Sequence, residues 1–187
     1  MTIAFIRHGQ TDWNATGRLQ GSSDIPLNDT GRAQARHAVD VLAGTAWGVI
    51  VSSPLSRARE TAEILADGLG IPLGRSYDLL IERNYGDAEG VTDENATAKW
   101  PDRRYPGLET LDSVVARGTV ALHQIEAEYR GKNVVIVCHG TIIRYTLASI
   151  ASRALDQIQN GSVSTLDLVN DAWRVLTVNG VTLDTLV

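Results

Sequence analysis

The chain has 187 residues, of which 43% are hydrophobic and 21% are charged, and its formal net charge is −5. This length predicts one domain, and the apolar content is sufficient for a buried core, which excludes a disordered chain. A mildly acidic chain lacks the basic surface of a broad nucleic-acid interface, although a local basic pocket stays compatible with it. The single cysteine, Cys138, excludes an intrachain disulfide.

Neither a signal peptide nor a membrane span is predicted. The first apolar run, residues 3–6, is too short for the hydrophobic region of a signal peptide. No run approaches the roughly 18 apolar residues of a membrane-spanning helix. We therefore predict a cytoplasmic protein that binds neither membranes nor nucleic acid.

The first part of the chain predicts two strand–helix pairs. TIAFI (2–6) is a short apolar run typical of a buried strand, and LNDTGRAQARHAVDVLAG (27–44) carries apolar residues at helical spacing. WGVIVSS (47–53) predicts a second buried strand. SPLSRARETAEILADGLG (53–70) predicts a second helix, which Ser53 can cap and a proline can start.

The second part begins with an irregular segment and returns to the same alternation. Residues 71–107 are predicted to form loops of the same domain. A long helix is predicted from Thr110, followed by the buried strand KNVVIVCHG (132–140) and the helix TIIRYTLASIAS (141–152). Residues 162–178 predict two strands around a turn.

This alternation of strands and helices predicts an α/β fold. Right-handed crossovers would give a mainly parallel central sheet with helices on both faces, a three-layer sandwich. The sequence has no internal repeat, low-complexity tract or linker, so we predict a single domain over residues 1–187.

Basic side chains follow each of the three predicted buried strands. Arg7 and His8 follow the first, Arg57 comes just after the second, and His139 and Gly140 follow the third. Because ligands of such sheets bind at the carboxyl ends of the strands, we expect these residues to meet at one edge.

This set of side chains indicates a phosphoryl pocket. Arginine donors match phosphate geometry, Asn14 adds a neutral donor, and the helix starts after Ser53 and Gly140 would add backbone N–H groups. A neutral histidine can attack phosphorus, and the leaving oxygen then needs a proton. Glu82, which follows the apolar run LLI and precedes a glycine-bearing loop, is the candidate acid.

Five motifs carry a family resemblance. RHGQTDWN, GRLQGSSDIPLNDTG, SSPLSRARET, ERNYGDAEG and CHGTIIR resemble, in order and spacing, the motifs of the histidine phosphatase superfamily in its phosphoglycerate-mutase-like branch. The resemblance covers residues 3–149. The remaining residues match only in predicting a terminal hairpin.

The resemblance implies a phosphoglycerate-mutase-like fold, a role for each site residue, and chemistry without a metal or other cofactor. His8 would be phosphorylated, and Glu82 would be the proton donor. The residues that would hold the phosphate are Arg7, Asn14, Arg57 and His139, with Gln20, Gly21 and Gly140 at positions whose backbone lines the pocket.

One segment departs from the pattern of the true mutases, which carry a longer lid with a substrate-binding lysine. Residues 91–107 are short by comparison, and Asp93 stands about where that lysine would be. Arg103 and Arg104 would be the counterparts of an arginine pair of the mutases. We therefore predict a phosphatase that hydrolyses a small phosphomonoester.

Two other functions stay open: a phosphoglycerate mutase with the same phosphohistidine chemistry, and a non-catalytic module that binds phosphorylated ligands. The oligomeric state is also open, with a homodimer through the terminal hairpin as one option. Among residues outside the motif roles, we interpret His37 and His123 as ordinary surface or boundary histidines, Cys138 as a buried inert cysteine, and Glu109 as a helix-start carboxylate.

Overall fold

The structure is a computed structural model and describes residues 1–183. Its strands are β1 (Thr2–Arg7), β2 (Val49–Ser52), β3 (Leu73–Ser76), β4 (Val134–Cys138), β5 (Val163–Val169), β6 (Ala172–Val178) and β7 (Val181–Thr182). Its helices are α1 (Asp12–Ala15), α2 (Asp29–Leu42), α3 (Ser56–Leu69), α4 (Asp93–Lys99), α5 (Leu111–Glu128) and α6 (Gly140–Ala151), with 3₁₀ turns at Asp78–Leu80 and Gly86–Ala88.

The strands form one seven-stranded sheet in the order β3-β2-β4-β1-β5-β6-β7. The first four in this order pair in parallel, and β5, β6 and β7 add to the edge of β1 as an antiparallel hairpin and a short return. The sheet is therefore mixed. The predicted α/β fold is confirmed, and its parallel half holds the three strands after which the basic residues occur.

Alternating side chains of the central strands face two separate helical layers. On β1, Ile3 and Phe5 join a core formed with α5 and α6, whereas Ala4 and Ile6 join a core formed with α2 and α3. This alternation follows from the two-residue period of a strand. Because both faces of the sheet are covered, β4 is buried throughout, as its continuous apolar run predicts.

The segment predicted to be irregular, residues 71–107, contains β3, α4 and both 3₁₀ turns. β3 has the sequence LGRS, is half-buried at the sheet edge, and lacks the apolar alternation that would identify it. α4 has seven mostly polar residues, and a cap by Thr92 is its main local signal. The segment packs on a small core of its own around Ala88, Ala96 and Tyr105.

Within residues 1–183, no helix combines the length and the apolar content that crossing a bilayer requires.

Candidate active site

A cavity of about 670 Å³ opens beside the carboxyl ends of β1 and β4. Arg7 lies at the end of β1, and Gly140 begins the helix after β4, so the topology brings them together as predicted. Glu82 reaches the same cavity from the loop after the first 3₁₀ turn, and Asn14 and Gln20 reach it from the loop around α1.

His8 follows Arg7 directly in the chain and is buried, with 3% of its surface exposed. Its Nδ1 is 2.7 Å from the carbonyl oxygen of Gly9, which can only accept, so Nδ1 carries the proton. Nε2 therefore keeps its lone pair, which accepts from Arg57 Nε at 3.2 Å. Burial, with the charges of Arg57 and Arg7, lowers the His8 pKa well below its ordinary value. The ring is therefore a neutral imidazole with a nucleophilic nitrogen.

Close contact between two backbones fixes the turn that carries His8. A Cβ at Gly9 would overlap the carbonyl group of Gly31, and a Cβ at Gly31 would overlap the backbone of Gln10. Only glycine at these two positions lets the turn after β1 lie against the start of α2.

Arg57 and Arg7 are arginines of the site that form no ion pair with a carboxylate in residues 1–183. Arg57 is fully buried and donates from Nη1 to Ser23 O and from Nη2 to Gly21 O, both at 2.8 Å. Burial lowers its pKa to about 10, so it remains a cation at neutral pH. Arg7 donates to Ile158 O at 2.7 Å. Within residues 1–183 neither forms an ion pair, so both leave positive charge available to an anion.

Glu82 is 7% exposed and lies at the start of α6. Its Oε2 accepts from Thr141 N at 2.9 Å, and its Oε1 accepts from Arg83 N at 2.8 Å and Ile142 N at 3.3 Å. At the start of α3, Ser56 N donates to a second carboxylate, Asp24, at 2.8 Å. The prediction that both helix starts offer backbone N–H groups to a ligand is wrong for the amides of Ser56, Thr141 and Ile142. Carboxylates from distant segments already accept hydrogen bonds from them.

A polar network closes the opposite wall of the cavity. Thr11 and Asn14 form a capping box at α1, and both donate to Gln20 Oε1, at 2.7 and 3.2 Å. Asn160 donates to His8 O at 3.0 Å and to Asn14 Oδ1 at 3.1 Å. The motifs do not predict Asn160 as a site residue, because it lies beyond them in a loop before the terminal hairpin.

The site contains buried polar atoms that lack a partner. Of five such side-chain atoms in residues 1–183, Arg7 Nε, Gln20 Nε2 and His139 Nδ1 belong to this site. All three are nitrogens that can donate, and buried donors without a partner are costly unless a ligand satisfies them. Arg7 and Gln20 line the cavity and His139 packs against His8, so these donors indicate a binding site for an oxyanion.

His139 is fully buried next to His8, with ring centroids 5.1 Å apart. Its Nε2 lies 2.8 Å from Ser53 Oγ. The prediction that Ser53 caps a helix is wrong, because α3 begins at Ser56 and its N-cap, Leu55, makes no side-chain cap. Burial, with the charges of Arg57 and His8, lowers the His139 pKa well below its ordinary value.

The burial of His8 and His139 in their neutral form predicts how the stability of the protein depends on pH. In the unfolded chain a histidine takes up a proton as the pH falls through about 6.5, whereas His8 stays neutral in the folded state. The free energy of unfolding should therefore fall in acid, by about 1.4 kcal/mol per pH unit for each such histidine. Chemical denaturation between pH 7 and 5 should show a shallower loss for His8→Asn than for the wild type.

The control for this measurement is His37→Asn, which removes an exposed histidine. Equal pH dependence in the wild type and in His8→Asn would contradict the neutral burial of His8.

An ion pair fixes the loop that carries Glu82. Arg117 donates to Leu79 O and Ile81 O, and it pairs with Glu109 at 2.8 Å. Glu109 also accepts from Asn84 N at 3.2 Å, so the pair holds the backbone on both sides of Glu82. Glu109, interpreted from sequence as a helix-start carboxylate, thus has a more specific structural role.

The structure also shows the positions of the residues that were given other interpretations from the sequence. His37 and His123 are exposed, as predicted. Cys138 is buried in the sheet core, and burial raises the pKa of its thiol, in agreement with an inert cysteine. Of the two arginines compared with a mutase pair, Arg103 lines the cavity and forms an ion pair with Asp93 at 3.1 Å, whereas Arg104 is not among the lining residues.

Comparison with known proteins decides the family. A family profile described as "Histidine phosphatase superfamily (branch 1)" matches residues 3–180. The chain belongs to this superfamily. It is 38% identical over 181 residues to "Uncharacterized phosphatase PhoE" of Bacillus subtilis, covering 95% of this chain and 93% of the relative. The resemblance predicted from the five motifs is therefore confirmed.

Other members of the superfamily point to the same reaction class. The chain is 33% identical over 188 residues to "Metal-independent phosphoserine phosphatase" of Arabidopsis thaliana, covering 92% and 79% of the two chains. A mycobacterial glucosyl-3-phosphoglycerate phosphatase in complex with VO3 superimposes with a TM-score of 0.88 at 30% identity, covering 95% and 98%. Phosphoglycerate mutases also occur among the relatives. These likenesses support a phosphoric monoester hydrolase.

Proposed function

We propose that the protein hydrolyses small phosphomonoesters through a phosphohistidine on His8. The observation that carries this proposal is a set of unpartnered nitrogens on Arg7 and Gln20, which line the cavity, and on His139, which packs against His8, together with a free Nε2 lone pair on His8. Oxyanions complement such donors, and a neutral imidazole is the nucleophile that phosphoryl transfer to histidine needs.

In the first step, His8 Nε2 attacks phosphorus in line with the ester oxygen. Glu82 takes up a proton as the phosphate dianion binds beside it. The N–P bond then forms as the P–O bond breaks, and Glu82 gives this proton to the leaving alkoxide. Arg57 Nε, which donates to Nε2 without substrate, turns to a phosphoryl oxygen, while Arg7 and His139 hold the others. The fixed donors offset the charge that develops on the phosphoryl group in the transition state.

In the second step, a water molecule takes the place of the leaving group. Glu82, now a carboxylate, accepts a proton from this water as the water attacks the phosphohistidine, which restores neutral His8 and releases phosphate. The loop held by Glu109 and Arg117 keeps Glu82 at a fixed distance from the nucleophile through both steps. Asn14 and Asn160 support the wall opposite.

Hydrolysis is favoured over a mutase reaction by the segment of residues 91–107. A mutase must retain and reorient a bisphosphate intermediate, which needs a closing lid. Here the segment is short, and Asp93 pairs with Arg103 at the cavity. A non-catalytic binding module is disfavoured because the chain retains His8 and Glu82, the residues that we propose as nucleophile and acid.

We expect the purified protein to release inorganic phosphate from a small phosphomonoester faster than it converts 3-phosphoglycerate to 2-phosphoglycerate, and to do so undiminished in EDTA. Phosphoserine and glucosyl-3-phosphoglycerate, the substrates named for relatives, belong in the test panel. Isomerisation that precedes phosphate release would favour the mutase, and a strict need for a divalent metal would refute the metal-free mechanism. The proposal includes a cytoplasmic location and phosphorylated metabolites as substrates.

A further inference from the structure

The two histidines of the site are anchored through opposite ring nitrogens. His8 is anchored through Nδ1 by the carbonyl oxygen of Gly9, and its Nε2 faces Arg57. His139 is anchored through Nε2 by the hydroxyl of Ser53, and its Nδ1 has no partner in residues 1–183. The carbonyl partner of His8 can only accept, so it fixes the proton on Nδ1. A hydroxyl can accept or donate, so the contact with Ser53 does not by itself show which nitrogen of His139 carries the proton.

The surroundings of Ser53 remove this ambiguity. Ser53 is fully buried, and its Oγ also receives the N–H of Leu55 at 3.4 Å. Among the residues that the structure describes, the only hydrogen-bond acceptor recorded for the Ser53 O–H is His139 Nε2. If Nε2 carried the proton instead, both the hydroxyl hydrogen and the Nδ1 lone pair would be buried without a partner in residues 1–183. With the proton on Nδ1, only that N–H lacks a partner.

We propose that the Ser53 hydroxyl donates to His139 Nε2 and thereby fixes the tautomer whose proton is on Nδ1, where it donates to the phosphoryl group. Ser53 is then a positioning residue that acts through His139, and this role rests on the proposed function. The two rings carry the same tautomer but present opposite ends: His8 presents a lone pair to phosphorus, and His139 presents an N–H to an oxygen.

Protonation of His139 is not an alternative source of this donor. The ring is fully buried 5.1 Å from the His8 ring and close to two arginines, and these surroundings lower its pKa well below the ordinary value. A neutral ring has one N–H, so the position of that proton decides whether His139 attracts or repels a phosphoryl oxygen.

Nitrogen-15 spectroscopy of histidine-labelled protein tests the tautomer directly. The chain has four histidines, so single substitutions assign each ring. At pH 7 the wild type should show His139 with a protonated Nδ1 and an unprotonated Nε2. A protonated Nε2 would overturn the proposal. Because this spectrum does not depend on turnover, a protein with the expected tautomer that hydrolyses no phosphomonoester would refute the proposed function alone.

Kinetics test the role of Ser53. We expect Ser53→Ala to lower kcat/KM about 10- to 100-fold, because a phosphoryl donor is no longer fixed. Ser52→Ala is the matched control: Ser52, the last residue of β2 and the neighbour of Ser53, is equally buried, but its hydroxyl lies 3.2 Å from Ser76 Oγ. We expect this variant to stay within about twofold of the wild type. Wild-type turnover in a folded Ser53→Ala would overturn the proposal.

A double-mutant cycle separates positioning from packing. In His139→Asn the side-chain amide supplies an N–H near the place of Nδ1 and has no tautomer to fix. Adding Ser53→Ala to this variant should change kcat/KM by less than about twofold. An equal loss in both backgrounds would mean that Ser53 acts through packing, which would refute the tautomer role.

Discussion

His8→Ala should lower kcat/KM by about 10⁴- to 10⁶-fold, because His8 Nε2 is the atom that would bond to phosphorus. Steady-state kinetics on a good phosphomonoester measures the loss. Rapid quenching should recover acid-labile phosphate from the wild type, close to one per chain, and none from the variant. Arg7, Arg57 and His139 remain in place, so vanadate should still bind the variant.

The matched control for this substitution is His123→Ala, which removes an exposed histidine on α5 and should leave turnover unchanged. Near-normal turnover or acid-labile phosphate in His8→Ala would refute the phosphohistidine mechanism. A folded variant that has lost both activity and vanadate binding would show instead that the pocket had collapsed.

The second large effect is expected for Glu82→Gln. The amide fills the same space at the start of α6 but cannot transfer a proton, so hydrolysis of alkyl phosphates should fall about 10²- to 10⁴-fold. p-Nitrophenyl phosphate has a leaving group that needs little protonation, so its first step should be affected much less. Because the water in the second step then lacks a base, the phosphoenzyme should be hydrolysed slowly and accumulate. Its formation should be seen as an initial burst of p-nitrophenol.

Asp87→Asn is the control for this prediction, since Asp87 is an exposed carboxylate in the same loop. Equal losses for alkyl and nitrophenyl substrates, with no burst, would assign the proton transfer to another group.

The parts of the fold predictable from sequence are those with a local pattern. The continuous apolar run of β4 and the helical spacing in α2 and α3 each require burial of a defined face, so they identify the elements without knowledge of the rest. β3 and α4 lack such a pattern. They are ordered mainly by contacts with neighbours, such as the packing of Ala96 on α4 against the small core around Tyr105.

The site residues also divide into those that the sequence predicts and those that it does not. Arg7, His8 and His139 each follow a predicted parallel strand. The topology of the sheet alone therefore predicts that they meet at one edge. The partners of these side chains were not predictable: Ser53 Oγ meets a histidine 86 positions away, and Asn160 meets the His8 backbone 152 positions away. Hydrogen bonds between such distant side chains leave no periodic trace in a single sequence.

The position of β1 in the sheet has a consequence for biosynthesis. β1 precedes the other six strands in the chain, but its neighbours are β4 and β5, with Ile3 opposite Val134 on one side and Leu166 on the other. Such long-range pairing makes loop closure a large part of the folding cost. On the ribosome, β1 and the His8 that follows it therefore cannot reach their final neighbours until β4 and β5 have emerged.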